Sequence, residues 1–367
     1  MHILLTADTV GGVWTYAQEL VTGLVRRGLQ VTLVSFGEIP SPSQTHWTEG
    51  LRGLDFRPTP FRLEWMQDAA RDMGASSEYL LDIIRETAPD LLHFSQFCYG
   101  TLDVDIPKVI TAHSDVVSWW NAVYGEDPPD SEWIHWYRET VSRGLAGVDH
   151  VTAPSRWMLE QIKTHYGRPQ SGAVIYNGRS EQPFNPRASK EDRVVSIGRL
   201  WDEGKQVTLL ARQQWPCAVT IAGAGECPDP TAHNSSVLFD NSIELKPKLS
   251  SSQVQELLAG ASIYAATSRY EPFGLAPLEA ALSRCAIVAN DIATFRELWG
   301  PTALYFHAND ADDLKRKIEQ LRADPTLRWH YAELAFQRAR RLFSADRMVN
   351  EYLTVYHALV PERIIAA

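Results

Sequence analysis

The sequence predicts an α/β protein built from two parallel β-sheets, each covered by helices. Three observations predict it. Strand-like and helix-like segments alternate along the chain, the pattern that buries a parallel sheet between helices. The alternation is repeated on either side of a polar stretch. At 367 residues the chain exceeds what one ordinary core takes up, so two domains are the natural count.

The elements follow in order. His2 to Ala7 reads as a buried strand and Thr9-Val10-Gly11-Gly12 as a loop. Trp14 to Arg27 reads as a helix, because Ala17, Leu20, Val21, Leu24 and Val25 recur on one face at i, i+3, i+4 spacing. Gly28 suits the C-terminal cap, where a left-handed residue is wanted. Val31 to Phe36 is the next strand, and further strands are expected near Leu91–Ser95, Lys108–Ala112 and His150–Ala153. The polar segment Asn177 to Asp192, with Asn-Gly, two prolines and mixed charge, reads as an interdomain linker. Beyond it, Arg193–Ile197, Ala218–Ala222, Ser262–Ala266, Ala286–Ala289 and Ala303–Phe306 read as strands. Helices fit Gln253–Ala261, Leu275–Ser283, Asp312–Arg322 and Thr326–Leu342, with a last one from about Asp346 to Val360.

Composition excludes several classes. A 44% apolar share suffices for full cores. The net charge of −10 argues against a nucleic-acid partner. No apolar run approaches membrane-spanning length. Cys98, Cys217, Cys227 and Cys285 show no Cys-x-x-Cys spacing; with no secretory leader apparent they read as reduced thiols of a cytoplasmic protein. Two Asp-x-Asp triplets, Asp103-Val104-Asp105 and Asp310-Ala311-Asp312, are rejected as metal sites: the first begins a loop before Pro107, and the second reads as the solvated start of a helix. No His/Cys cluster has zinc spacing. A dinucleotide fingerprint is missing too. Gly11-Gly12 does not supply one, and Gly223-Ala224-Gly225 meets Pro228 at the third glycine position.

The densest chemistry lies between Glu271 and Glu279, as Glu-Pro-Phe-Gly-Leu-Ala-Pro-Leu-Glu. A buried strand ends just before it, so Glu271 is expected in a strand-to-helix loop and Glu279 about two turns along the helix, roughly 12 Å away. A helix start offers free N–H groups and a positive dipole end. That arrangement suits a nucleoside diphosphate sugar: sugar hydroxyls at Glu271, diphosphate at the helix start, ribose at Glu279. A second motif, Gly198-Arg199-Leu200-Trp201-Asp202-Glu203-Gly204-Lys205, follows a strand, where ligands of open α/β sheets bind. Arg199 and Lys205 there would clamp a diphosphate and stabilise charge growing on it. Gly11-Gly12 permits close backbone approach at a helix start, and His113 stands at the carboxyl end of a strand. The aromatic stretch Trp119, Trp120, Tyr124, Trp133, Trp136, Tyr137 suits sugar stacking or core packing. Residues 1–180 carry 14 Lys/Arg against 22 Asp/Glu, which suits a neutral carbohydrate better than an anionic lipid surface.

Together these motifs resemble the retaining glycosyltransferases of family 4 (glycosyl transferases group 1), which have the GT-B fold. The resemblance covers essentially the whole chain. It rests on Gly11-Gly12, on Thr-x-His ending at His113, on Ala153-Pro154-Ser155 and on Ile175-Tyr176-Asn177-Gly178. Gly198-Arg199, Lys205 and the run from Glu271 to Glu279 complete it. It implies two Rossmann-like domains facing across a cleft: residues 1–180 plus a returning helix in 346–367 for the acceptor, and 181–345 for the donor. It implies that Arg199 and Lys205 neutralise the diphosphate, that Glu271 with the backbone of Phe273 and Gly274 holds sugar hydroxyls, and that Glu279 holds the ribose. Gly11, Gly12, Gly198 and Leu275 would line the donor, and His113 would lie beside the reacting sugar. No cofactor and no divalent metal are implied, the nucleotide sugar being a substrate. The partners implied are that donor (UDP- or GDP-linked) and a carbohydrate or other hydroxyl acceptor in glycan, polysaccharide or glycoconjugate synthesis, with peripheral membrane contact left open. A nucleotide-sugar 2-epimerase on the same fold and a non-catalytic nucleotide- or sugar-binding protein are the alternatives. The chain departs from the family twice. Arg284-Cys285-Ala286 stands where a Gly-x-Pro turn is common, and Gly204-Lys205-Gln206 where Lys-Gly is usual.

Overall fold

A computed structural model describes residues 1–225 and 243–360; Cys227 and Pro228 lie outside the described residues. Contacts divide the chain into two units. One comprises Met1–Ser118, Asp127–Gly178 and the chain from Ala345; the other comprises Trp119–Glu126 and Arg179–Ser344. The segment Trp119–Glu126, read from sequence as part of the first domain, groups with the second.

The first unit runs β1 (His2–Asp8), α1 (Gly12–Arg26), β2 (Gln30–Phe36), α2 (Pro42–Thr45), β3 (Leu54–Pro58), α3 (Ala70–Thr87), β4 (Leu91–Phe94), β5 (Lys108–Thr111), the start of α4 (Val116–Tyr124), α5 (Glu132–Ala146), β6 (His150–Ala153), α6 (Arg156–Tyr166) and β7 (Gly172–Val174). Its seven strands are parallel, in the order β3-β2-β1-β4-β5-β6-β7. Helices α2 to α6 and strands β3 and β7 were not read from the sequence. Strand β7 has only three residues, none fully buried, so it lacks an apolar run. Helix α1 buries Ala17, Leu20, Val21 and Leu24 with Trp14 and Tyr16 against the sheet. Gly28 takes φ +84° after its last turn, and Leu29 N returns to the Leu24 carbonyl, the expected left-handed cap.

The second unit runs β8 (Glu191–Ile197), α7 (Thr208–Ala211), β9 (Ala218–Ala222), β10 (Ile243–Lys246), α8 (Ser251–Gly260), β11 (Ala261–Ala266), α9 (Leu275–Leu282), β12 (Ala286–Asn290), α10 (Ala293–Trp299), β13 (Leu304–Phe306), α11 (Ala311–Ala323) and α12 (Pro325–Leu342). Its described strands are also parallel, in the order β10-β9-β8-β11-β12-β13. Helix α8 ends before Ala261, which instead opens β11. Helix α11 is capped by Asp310, whose carboxylate accepts from the backbone N–H groups of Asp312 and Asp313. The second Asp-x-Asp triplet is therefore a capping device. The last helix, α13 (Ala345–Leu359), packs on α1 of the first unit through Met348, Val349 and Tyr352. No described helix is long and apolar enough to cross a membrane.

Both sheets reverse direction at the same place. Connections leave the central strand one way to β2 or β9 and the other way to β4 or β11. Such switch points, at the carboxyl ends of the strands, are where open α/β sheets bind ligands.

Candidate functional site

In the second unit the switch point lies between β8 and β11, and it gathers the charged motifs. Strand β8 delivers Gly198 and Arg199; β11 delivers Thr267 to Gly274 and then α9. The two loops are joined. Arg269 N donates to the Gly204 carbonyl at 2.9 Å, and Thr267 Oγ1 to the Lys205 carbonyl at 2.9 Å. Glycine is required where the strand ends crowd: a Cβ on Gly223 would lie 1.8 Å from the Gly198 carbonyl oxygen.

Lys205 Nζ sits 2.7 Å from Glu271 Oε2, which also accepts from Ser268 Oγ at 3.0 Å. The sequence places these residues 66 positions apart; the fold makes them one pair. Arg199 is paired with Asp202, its Nε 3.2 Å from Oδ2, and its guanidinium lies 4.9 Å from the Trp201 ring centroid. Asp202 is 5% exposed. Burial alone would raise its carboxyl pKa, but Arg199 and Lys205, with hydrogen bonds from Arg199 and Trp119, hold it below the usual carboxylate range.

Helix α9 begins on Gly274, at φ +88°, and has no acidic residue in its first turn. A Cβ there would stand 3.0 Å from Glu271 Cγ, so the glycine also makes room for the carboxylate. Leu275 is the first helical residue, which makes Glu279 the fifth. The expectation of two helical turns between the glutamates is corrected: the left-handed turn at Gly274 ends the climb, and Glu279 lies just over one turn into α9. The Phe273 ring is buried edge-on against Phe343, so its backbone is what remains for a ligand.

Glu279 is itself tied up in a way the sequence did not indicate. Its Oε1 accepts from Arg179 Nε at 2.9 Å, with the two side chains 13% and 6% exposed. Arg179 comes from the presumed linker, anchored by its own N–H to the Phe343 carbonyl. No periodicity marks it, and its neighbours Asn177 and Gly178 stood out only as the start of the linker and the end of the Ile175–Gly178 family motif.

The two departures from the family pattern are settled by backbone geometry. Gln206 takes φ +48° and Arg284 takes φ +57°, the left-handed conformation that glycine enters at no cost. Their side chains supply partners instead. With its near-indistinguishable amide oxygen and nitrogen assigned to satisfy their neighbours, Gln206 places its nitrogen 3.1 Å from the Thr267 carbonyl and 2.8 Å from Asn309 Oδ1, and its oxygen toward Arg269. Arg284 pairs with Glu333 at 3.0 Å over the Phe336 ring.

In the first unit the switch point lies between β1 and β4. Gly11, at φ +84°, and Gly12 are exposed and open α1, which also has no acidic residue in its first turn. His113 follows β5 as expected; its ring lies 4.4 Å from that of Tyr16, and Nε2 is 3.5 Å from Ser95 Oγ. Burial drops its pKa to about 3, so the imidazole is neutral. Beneath it runs a buried neutral network. His93 Nδ1 meets Tyr356 Oη and Nε2 meets Thr111 Oγ1, both at 2.6 Å; Thr111 reaches Thr152 and Tyr352. Burial first, and then His113, drop the His93 pKa to about 3.

The aromatic stretch divides. Trp133, Trp136 and Tyr137 pack into the core of the first unit, Trp133 over Tyr137 at 5.8 Å. Trp119, Trp120 and Tyr124 form a second cluster on α4, in the second unit.

A model of glycosyltransferase family 4 matches residues 10–182, and a model of glycosyl transferases group 1 matches residues 179–338. A lipopolysaccharide core biosynthesis mannosyltransferase of Rhizobium leguminosarum bv. viciae is 39% identical over 101 residues, 27% of this chain and 29% of that protein, so the match spans under a third of the relative. O-antigen chain mannosyltransferase C of Escherichia coli is 21% identical over 99% of both chains. Among solved structures, sucrose-phosphate synthase from Thermosynechococcus elongatus superposes with a TM-score of 0.78 at 16% identity, covering 98% of this chain and 99% of that one. Anabaena HepE in complex with UDP-glucose superposes at 0.74 and 15% identity, covering 98% and 100%. At these identities the likeness establishes the fold, two Rossmann-like units of the GT-B class.

Proposed function

Because the chain belongs to the glycosyl transferases group 1, with a family 4 first half, we propose that this glycosyltransferase moves a hexose from a nucleoside diphosphate sugar to an acceptor hydroxyl with retention. The observation that carries the reading is the Lys205–Glu271 pair beside Arg199, at the β8/β11 switch point and next to the start of α9. A diphosphate there meets two cations and a helix N-terminus, and displaces Glu271 from Lys205 to leave that carboxylate for sugar hydroxyls. Bound UDP-glucose in the structurally similar HepE and mannosyl transfer in two relatives support a UDP- or GDP-linked hexose.

Retention follows from a front-face course. The bond from the sugar's C1 to the β-phosphate oxygen breaks. The acceptor oxygen bonds C1 on the same face, and its proton passes to the departing phosphate oxygen. Arg199 and Lys205 stabilise the charge that grows on that phosphate, the role a divalent metal plays elsewhere. His113, neutral at working pH, offers a hydrogen bond without adding charge. Glu279, steadied by Arg179, holds the ribose.

Thermal shifts with UDP, GDP, ADP and dTDP test the donor class, since a ligand selective for the native state raises its melting temperature. Glu271→Ala should then lower turnover about a hundredfold or more with little change in melting temperature. Unchanged turnover removes Glu271 from the reaction. A new sugar nucleotide formed from donor alone would indicate an isomerase, and binding with neither transfer nor hydrolysis a non-catalytic protein.

A further inference from the structure

Asp202 is the least exposed charged group of the donor loops, and it stands between both cations that the diphosphate would meet. Its Oδ2 holds Arg199; its Oδ1 accepts from Gly204 N at 2.9 Å and from the indole Nε1 of Trp119 at 3.2 Å. Trp119 lies 83 positions earlier, on α4. We propose that Trp119 is a positioning residue for Arg199: its indole N–H fixes the Asp202 carboxylate, and Asp202 in turn aims the guanidinium.

Three further contacts show that the loop is built around this indole. A Cβ on Gly204 would fall 2.7 Å from Trp119 Nε1, so only glycine leaves room for it. Arg269, which grips the Gly204 carbonyl through its backbone, donates Nη1 to the Val123 carbonyl of α4 at 3.0 Å. Trp120 and Tyr124 close on Trp119 at ring distances of 6.1 and 5.8 Å, which restrains its rotamer. An aspartate clamped at one oxygen by two N–H donors has its other oxygen fixed in direction. A guanidinium in a fork-like pair follows that direction. Without the indole only the Gly204 N–H holds Oδ1, so the carboxylate turns more readily about its last bond and Arg199 is presented over a wider range of angles.

The inference rests on the reading of Arg199 as a diphosphate ligand, and a double-mutant cycle separates the two. Calorimetry would use whichever of UDP, GDP, ADP or dTDP the wild-type chain binds best. Trp119→Phe keeps the ring and removes only the donor. It should weaken that nucleotide about tenfold, the size of one hydrogen bond to a charged group, at a melting temperature within a few degrees of wild type. In an Arg199→Ala background the same change should have no further effect, because the residue it acts through is gone. Asp202→Asn, which keeps the shape and removes the charge, should likewise lose its effect in that background; it carries the test should Trp119→Phe fail to fold. Equal losses with and without Arg199, or no loss beside wild-type Arg199, overturn the inference. Wild-type protein that binds none of the four nucleotides overturns the donor reading and the inference with it.

Discussion

Over six strands the two units, as described, share one order, yet they furnish the ends of their central strands in opposite ways. In the first unit the polar groups behind the switch point are neutral. One imidazole, His93, two threonines and the tyrosines of α13 exchange hydrogen bonds where water does not reach. In the second unit the corresponding place holds ion pairs: Arg199 with Asp202, Lys205 with Glu271, and Arg179 with Glu279. A neutral network keeps its shape whatever binds, because no charge is left uncompensated when one partner moves. A solvent-facing ion pair can exchange partners with a charged ligand, since the ligand replaces the charge it displaces. One topology therefore carries a neutral network in one half and ion pairs in the other, which under the proposed function form an exchangeable electrostatic socket.

Three measurements break or sharpen that contrast. The largest effect is expected from Arg179→Ala, which removes a buried cation 2.9 Å from the mostly covered Glu279 carboxylate. It should destabilise the second unit by about 3–5 kcal/mol in denaturant unfolding, while Glu279→Gln with Arg179→Met together cost much less. A single loss under about 1 kcal/mol would mean that the pair is a solvated one.

The second effect belongs to the first unit and depends on pH. His93 and His113 have folded pKa values of about 3, below the unfolded value of about 6.5. Between those values the unfolded chain binds protons that the folded chain does not, so stability falls as pH drops below 6.5. The slope is about 1.4 kcal/mol for each pH unit from fully buried His93, and less from partly exposed His113. Unfolding followed from pH 7 to 5 should show it, and His93→Gln should flatten it whatever that variant does to stability at pH 7. Asp202 of the second unit should not contribute in this window: it is held below its usual range, so its stabilising effect is lost only in stronger acid.

The smallest effect tests the loop beside Lys205. Gln206→Gly relieves a left-handed backbone and loses the amide contacts, so its change in stability should be near zero. Gln206→Ala keeps the backbone strain and loses the same contacts, costing about 1–2 kcal/mol more. Equal values for the two would mean that the φ of +48° carries no strain.

Much of the site was legible because its charges sit in loops that directly follow buried strands. The apolar runs Arg193–Ile197 and Ser262–Ala266 placed Arg199, Lys205 and Glu271 at strand ends, and parallel strands carry their ligands there. The position of Glu279 along its helix was misjudged because helical turns were counted across Gly274, whose left-handed φ starts the helix instead of continuing it. Strand β3, with intermediate burial over most of its length, lacks the continuous apolar run that revealed its neighbours.

The sequence by itself determined the alternation of strands and helices, the glycines that open α1 and α9, and which charges stand at the strand ends. These follow from interactions within a turn or two of chain, which periodicity records. Only the tertiary structure decided who partners whom. Arg179 meets Glu279 across 100 positions, Trp119 meets Asp202 across 83, and His93 meets Tyr356 across 263. Strand order and helix packing bring those groups together, and a lone buried charge or ring nitrogen carries no local mark of the partner that satisfies it.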